Sequence, residues 1–146
     1  MKVDFYQLTG FSVEAVLPRI AERVLGEGGR LLVVVQDDAL ADLLDRSLWT
    51  WKADSFLPHG RRGKGDEAAQ AILIGDSCDA LNCARNVALA DGVWRDEALA
   101  FDRAFLFFGP ERLEDARDAW RALGNRDEIE RRFWKQDEAG RWSQAA

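Results

Sequence analysis

Several features are scarce in this sequence, and each scarcity excludes a class of protein. Two cysteines are too few for a disulfide framework, and the spacing of Cys78 and Cys83 does not match a structural zinc site. Apolar runs extend over only a few residues, so none could span a bilayer. Residues 1–8 lack the basic region and apolar stretch of a secretory signal. We therefore expect a cytoplasmic protein without a membrane partner.

Positive charge is scarce as well. The formal net charge is −6, so the molecule as a whole repels phosphate backbones, and no direct nucleic-acid partner is expected. The length of 146 residues is that of one ordinary domain, and we predict a single domain over 1–146. For the charged C-terminal stretch we expect a short packed element, and we consider a frayed tail over 136–146.

The spacing of apolar residues predicts strands that alternate with helices. The run "LLVVV" at 31–35 is typical of a strand buried on both faces in a parallel sheet. Further strands are predicted at 3–8, 70–75, 86–90 and 103–109. This alternation predicts an α/β fold, a three-layer sandwich whose mainly parallel central sheet is flanked by helices.

Three segments between the predicted strands have the period of an amphipathic helix. Ser12 is a candidate N-cap for the first helix, and Asp37 or Asp38 for the second. Pro110 opens the last helix, which we predict over 111–123. Four leucines of the second helix are predicted to point inward: Leu40, Leu43, Leu44 and Leu48.

The predicted topology is Rossmann-like, but the fingerprint of a dinucleotide site is absent. The first strand leads into "LTGFS", with one glycine where such a site needs several at fixed spacing. The basic loop "GRRGKG" at 60–65 lacks the hydroxyl residue after the lysine of a phosphate-binding loop. His59 has no recognisable nucleophile or second metal ligand nearby. A small α/β nucleotide- or phosphate-binding enzyme using His59 and this loop is kept as the alternative function.

Aromatic residues are concentrated in "LWTWKADSFLPHG", residues 48–60. Trp49, Trp51 and Phe56 cannot all enter one core from a segment of this length, and tryptophan is the residue most enriched at interface hot spots. Buried packing and a docking surface remain open as interpretations. A purely structural subunit held by Trp49 and Phe56 is a further possibility.

The last predicted helix, "PERLEDARDAWRALG", combines an aromatic residue with two arginines. Trp120 lies at helical spacing with apolar residues, so a place in the core is the simplest interpretation. Arg117 and Arg121 are four residues apart and flank Trp120. This arrangement suits a peptide that ends in a free carboxylate behind an aromatic side chain, because arginine binds carboxylates bidentately.

Five segments together resemble the chi subunit family of bacterial DNA polymerase III. They are "FYQL" near the start, "LLDRSLWTWKADSFLPHG", "ILIG", "ARDAWRALG" and "FWKQDEAGRW" near the end. The resemblance covers nearly the whole chain in the right order. Its most specific part is Leu-Trp followed seven residues later by phenylalanine and then by Pro-His.

The resemblance implies a non-enzymatic accessory subunit of the clamp-loader assembly, with no cofactor and no metal. Such a subunit links the replicase to the single-stranded-DNA-binding protein, whose acidic tail ends in Pro-Phe. By this resemblance the tail docks at Arg117, Trp120 and Arg121. A psi subunit or a helicase-like partner docks at Trp49 and Phe56.

Overall fold

A computed structural model describes residues 1–52 and 57–146 of the chain. Its described residues form one eight-stranded sheet in the order β3-β4-β2-β5-β6-β1-β7-β8. The strands are β1 (Lys2–Gln7), β2 (Leu31–Val34), β3 (His59–Arg61), β4 (Ile72–Gly75), β5 (Asn86–Leu89), β6 (Arg103–Phe108), β7 (Glu130–Gln136) and β8 (Trp142–Gln144). Neighbouring strands run parallel except β7 and β8, which are antiparallel.

Helices cover both faces of the sheet. The α-helices are α1 (Val13–Gly26), α2 (Asp38–Trp49) and α3 (Leu113–Leu123), and short 3-10 helices lie at Glu67–Ala69, Asp96–Ala100 and Pro110–Arg112. One core is formed where α1 and α2 pack on the sheet, and a second where α3 packs on the opposite face. The predicted three-layer α/β sandwich with a mainly parallel sheet is therefore confirmed.

The N-cap of α2 is one of the two residues predicted for it, whereas two other details of the helices differ from the prediction. Asp37 is the N-cap of α2, and its carboxylate accepts a hydrogen bond of 3.0 Å from the Ala39 amide. The last α-helix was predicted to begin at Glu111. Instead, a 3-10 turn lies at Pro110–Arg112, and α3 begins after it at Leu113. The prediction that Leu43 points inward is wrong, because its side chain is 41% exposed on the outer side of α2.

Three strands were not predicted from the sequence. β3 and β8 are three-residue edge strands, and β7 is a longer, charged strand beside β1. β8 lies within 136–146, where a frayed tail was considered, and the structure places it in the sheet with Trp142 opposite Gln136. Among the helices of the described residues, none is both long enough and apolar enough to cross a membrane.

A buried carboxylate in β1 binds side chains from two neighbouring strands. Asp4 is completely buried, and β1 lies between β6 and β7. Its Oδ2 accepts a hydrogen bond of 3.0 Å from Arg103 Nε on β6 and forms an ion pair of 2.9 Å with Arg103 Nη2. Its Oδ1 accepts hydrogen bonds of 2.9 Å from Arg132 and 3.0 Å from the Trp134 indole, both on β7. Burial of a carboxylate is tolerated when its oxygens are paired and hydrogen-bonded in this way.

Replacing Asp4 by alanine should reduce the free energy of unfolding by about 3 kcal/mol, because the change leaves two half-buried guanidiniums without their shared anion. Urea unfolding followed by circular dichroism measures the change. Asp102→Ala is the control, since the ion pair with Arg85 that it removes is exposed and its loss should cost less than about 1 kcal/mol. Equal effects of the two substitutions would contradict a special role for Asp4.

Tyr6 is the only tyrosine in the chain, and it neighbours this cluster. Burial, followed by the negative charge of Asp4, raises the pKa of Tyr6 from 10.0 to about 12. Folded protein then keeps this proton between those two pH values while unfolded protein loses it, so stability should fall by about 3 kcal/mol as pH rises through that window.

Absorbance of the phenolate during alkaline titration reports on this residue alone. The folded protein should titrate near the raised pKa, and Tyr6→Phe should remove that part of the pH dependence of unfolding. Titration of the folded protein at the ordinary tyrosine pKa would contradict this prediction.

Candidate functional site

The candidate site lies on α3, where a narrow apolar stripe faces the sheet and charged residues face outward. Ala116, Ala119 and Leu123 are buried against the sheet, whereas Trp120 is half-buried at the border of the stripe. The two alanines of the stripe have small side chains. The larger indole at its edge therefore reaches both the core and the surface.

Aromatic rings of two strands hold the indole of Trp120 in place. The ring of Phe5 on β1 lies edge to face with it, at 5.2 Å between centroids and an interplanar angle of 84°. The ring of Phe133 on β7 has a similar geometry, at 5.6 Å and 85°. Edge-to-face pairs of this kind each contribute about 0.5–1.5 kcal/mol beyond the burial of apolar area. Trp120 thus packs against core residues, as predicted, and is also partly exposed.

The two arginines predicted for the site are both exposed on α3. Arg117 donates a hydrogen bond of 3.2 Å to Glu114, and its side chain is 54% exposed. Arg121 pairs with Asp118, and its side chain is 66% exposed. Each pair joins residues three positions apart on one helix, the separation at which side chains meet. The site therefore has two surface cations whose present partners are themselves solvated.

A third arginine that sequence reasoning missed is in direct contact with the indole. The guanidinium carbon of Arg131 lies 4.0 Å from the centroid of the Trp120 ring, within the range of a cation–π contact. Its Nη1 also donates a hydrogen bond to the Trp120 carbonyl. In "ERRFWKQ", Arg131 and Phe133 are two residues apart, so in a strand they point to the same face. This spacing was the signal that could have predicted a strand with both residues on the face toward α3.

The residues predicted for the second surface are only partly described. Trp49 at the end of α2 is 59% exposed, and its ring lies 4.9 Å from the His59 ring. Phe56 lies outside the described residues. Trp51 packs against the core on the α1 face, and its indole donates a hydrogen bond of 3.2 Å to Glu22. Trp51 is therefore packed against the core, whereas Trp49 is exposed and its docking role stays a prediction.

His59 is enclosed rather than presented to solvent. Its side chain is 1% exposed, its Nδ1 lies 2.7 Å from the Leu57 carbonyl, and its Nε2 lies 2.9 Å from Asp45 Oδ1. The arginines of the "GRRGKG" loop are paired with acids of the same chain. Those pairs are Arg61 with Asp38 and Asp42, and Arg62 with Asp76 and Asp79. This geometry does not support the alternative of a phosphate-binding enzyme.

Comparison with known families gives the class to which this molecule belongs. A family model described as DNA polymerase III chi subunit, HolC, matches residues 1–130. Because this match covers most of the 146 residues, the chain belongs to the DNA polymerase III chi subunit family.

Two individual relatives carry the name DNA polymerase III subunit chi. The protein from Pseudomonas aeruginosa is 30% identical over 78 residues, which are 51% of this chain and 55% of the relative. The protein from Escherichia coli strain K12 is 33% identical over 63 residues, which are 43% of each. The chain thus spans about half the length of these relatives in the matched segments.

Proposed function

We propose that this chain is a chi subunit of a DNA polymerase III assembly and that it binds the acidic Pro-Phe tail of a single-stranded-DNA-binding protein. Membership of the chi family supports the first part. The second part rests on one observation, the exposed Arg117 and Arg121 on either side of the half-buried Trp120. The arginines bind carboxylates of the tail, and the aromatic cluster packs against its apolar end.

The internal partners of the two arginines do not block this role. Exposed ion pairs contribute only about 0–1 kcal/mol, because water already solvates both charges. A charge-assisted hydrogen bond to a carboxylate contributes about 1.5–3 kcal/mol when the contact is shielded. A docking peptide can therefore displace Glu114 from Arg117, and Asp118 from Arg121, at small cost.

The overall charge of the chain fits a partner of this kind. A net charge of −6 disfavours direct contact with DNA, whereas arginines whose ion pairs are exposed can exchange their partners for the carboxylates of an acidic peptide. Such a protein reaches single-stranded DNA through the single-stranded-DNA-binding protein and does not compete with it for the DNA phosphates.

Isothermal titration with an acidic peptide ending in Pro-Phe tests the proposal. We expect a dissociation constant of about micromolar order that weakens with salt. Arg117→Glu should weaken binding by a factor of about ten or more, because it places a negative charge where the tail carboxylates bind.

Arg85→Glu is the matched control, since Arg85 is an exposed, ion-paired arginine outside α3 and its reversal should leave the affinity nearly unchanged. Absence of binding by the unsubstituted protein would remove the proposal, and equal losses in both variants would reduce it to a general charge effect.

We further propose that Trp49 and Phe56 form the docking surface for a psi-type or helicase-like subunit. The exposure of Trp49 supports this role, because a large apolar ring at the surface gains free energy when a partner covers it.

Size-exclusion chromatography with a purified psi-type subunit tests this surface. Trp49→Ala should reduce complex formation while the affinity for the tail peptide stays unchanged. Phe11→Ala is the control, because Phe11 is 44% exposed and lies before α1. Retention of the complex by Trp49→Ala would contradict the assignment.

A further inference from the structure

We infer that Arg131, and neither Arg117 nor Arg121, receives the terminal carboxylate of the docked tail. This inference rests on the proposed tail-binding function and deepens it. Under this inference, Arg131 of β7 makes the protein prefer a peptide with a free C-terminal carboxylate. Arg117 and Arg121 of α3 bind the acidic side chains of the tail. Arg131 lies one residue beyond the range matched by the family model.

Arg131 has a guanidinium that is already held in position. The ring of Trp120 lies under it at 4.0 Å, and the Trp120 carbonyl accepts a hydrogen bond from its Nη1. A Cβ atom at Gly124 would lie 2.8 Å from its Cζ, so the glycine leaves the space that the guanidinium occupies. A guanidinium that is ordered before binding loses little further side-chain entropy when it binds a carboxylate.

Arg131 differs from Arg117 and Arg121 in the charged groups that surround it. Arg117 and Arg121 are each neutralised by an acid on α3. Arg131 forms no ion pair with any carboxylate in the described part of the chain, although it is partly buried. A partly desolvated cation without a counter-ion gains more from an incoming carboxylate than a solvated cation that must first release its partner.

Successive side chains of a β-strand point to opposite faces of the sheet, which explains why Arg131 and Arg132 have different partners. Arg132 points to the α1 face and binds the buried Asp4, whereas Arg131 points to the α3 face and contacts Trp120. Arg132 is therefore bound to an internal carboxylate, whereas Arg131 keeps guanidinium donors that no carboxylate of residues 1–52 and 57–146 accepts. The guanidinium of Arg131 lies over the indole ring, so a carboxylate bound by Arg131 would lie beside the aromatic cluster.

Two peptides and two matched variants test this assignment. The peptides share one acidic sequence ending in Pro-Phe, with either a free carboxylate or an amide at the C-terminus. Isothermal titration should show that the unsubstituted protein binds the free acid about ten times more tightly than the amide. In Arg131→Gln this ratio should fall to about one, with the affinity for the amide little changed.

Arg117→Gln is the matched control, and it should weaken binding of both peptides by similar factors while the ratio is kept. Arg131→Lys retains the charge without the planar fork and should show an intermediate ratio. A purely structural role of Arg131 would change both affinities together, so the ratio separates recognition from folding.

The outcomes distinguish this inference from the function on which it rests. If the unsubstituted protein binds neither peptide, the proposed tail-binding function fails. If it binds both peptides equally, or if Arg131→Gln keeps the full preference for the free acid, the tail-binding function stands and the assignment of Arg131 is overturned.

Discussion

The insertion of β1 between β6 and β7 is the constraint on which both faces of this molecule depend. On one face, Asp4 joins the two neighbouring strands through Arg103 and Arg132. On the other face, the next residue, Phe5, contacts Trp120 and so sets the depth of that indole. The buried ion cluster and the candidate site are consequently supported by adjacent residues of one strand.

Rigid and exchangeable parts are separated within the candidate site. The indole of Trp120 is fixed by rings from β1 and β7, whose positions follow from the register of a parallel sheet. Among the residues that the structure describes, the ion-pair partners of Arg117 and Arg121 are exposed acids on their own helix. A surface built this way offers a preformed apolar wall for recognition, while its outer charges exchange partners at small cost.

The sequence predicts those elements whose burial is decided locally. The run at 31–35 is apolar throughout because both faces of β2 are covered, and the spacing of Arg117 and Trp120 on a helix follows from its period. β7 was not predicted because its half-buried Arg132 is neutralised by Asp4, 128 residues away, and no local pattern contains that partner. Contact of Arg131 with Trp120 depends likewise on how α3 crosses the sheet.

The position of β1 also affects how this chain acquires its structure. Asp4 bonds to side chains 99 and 128 residues away, so the pairings of β1 require loop closures over most of the chain length. Topologies with such a high contact order fold slowly, because chain entropy is lost before the distant pairings compensate for it. During synthesis on the ribosome, β1 stays without its partners until both β6 and β7 have been made.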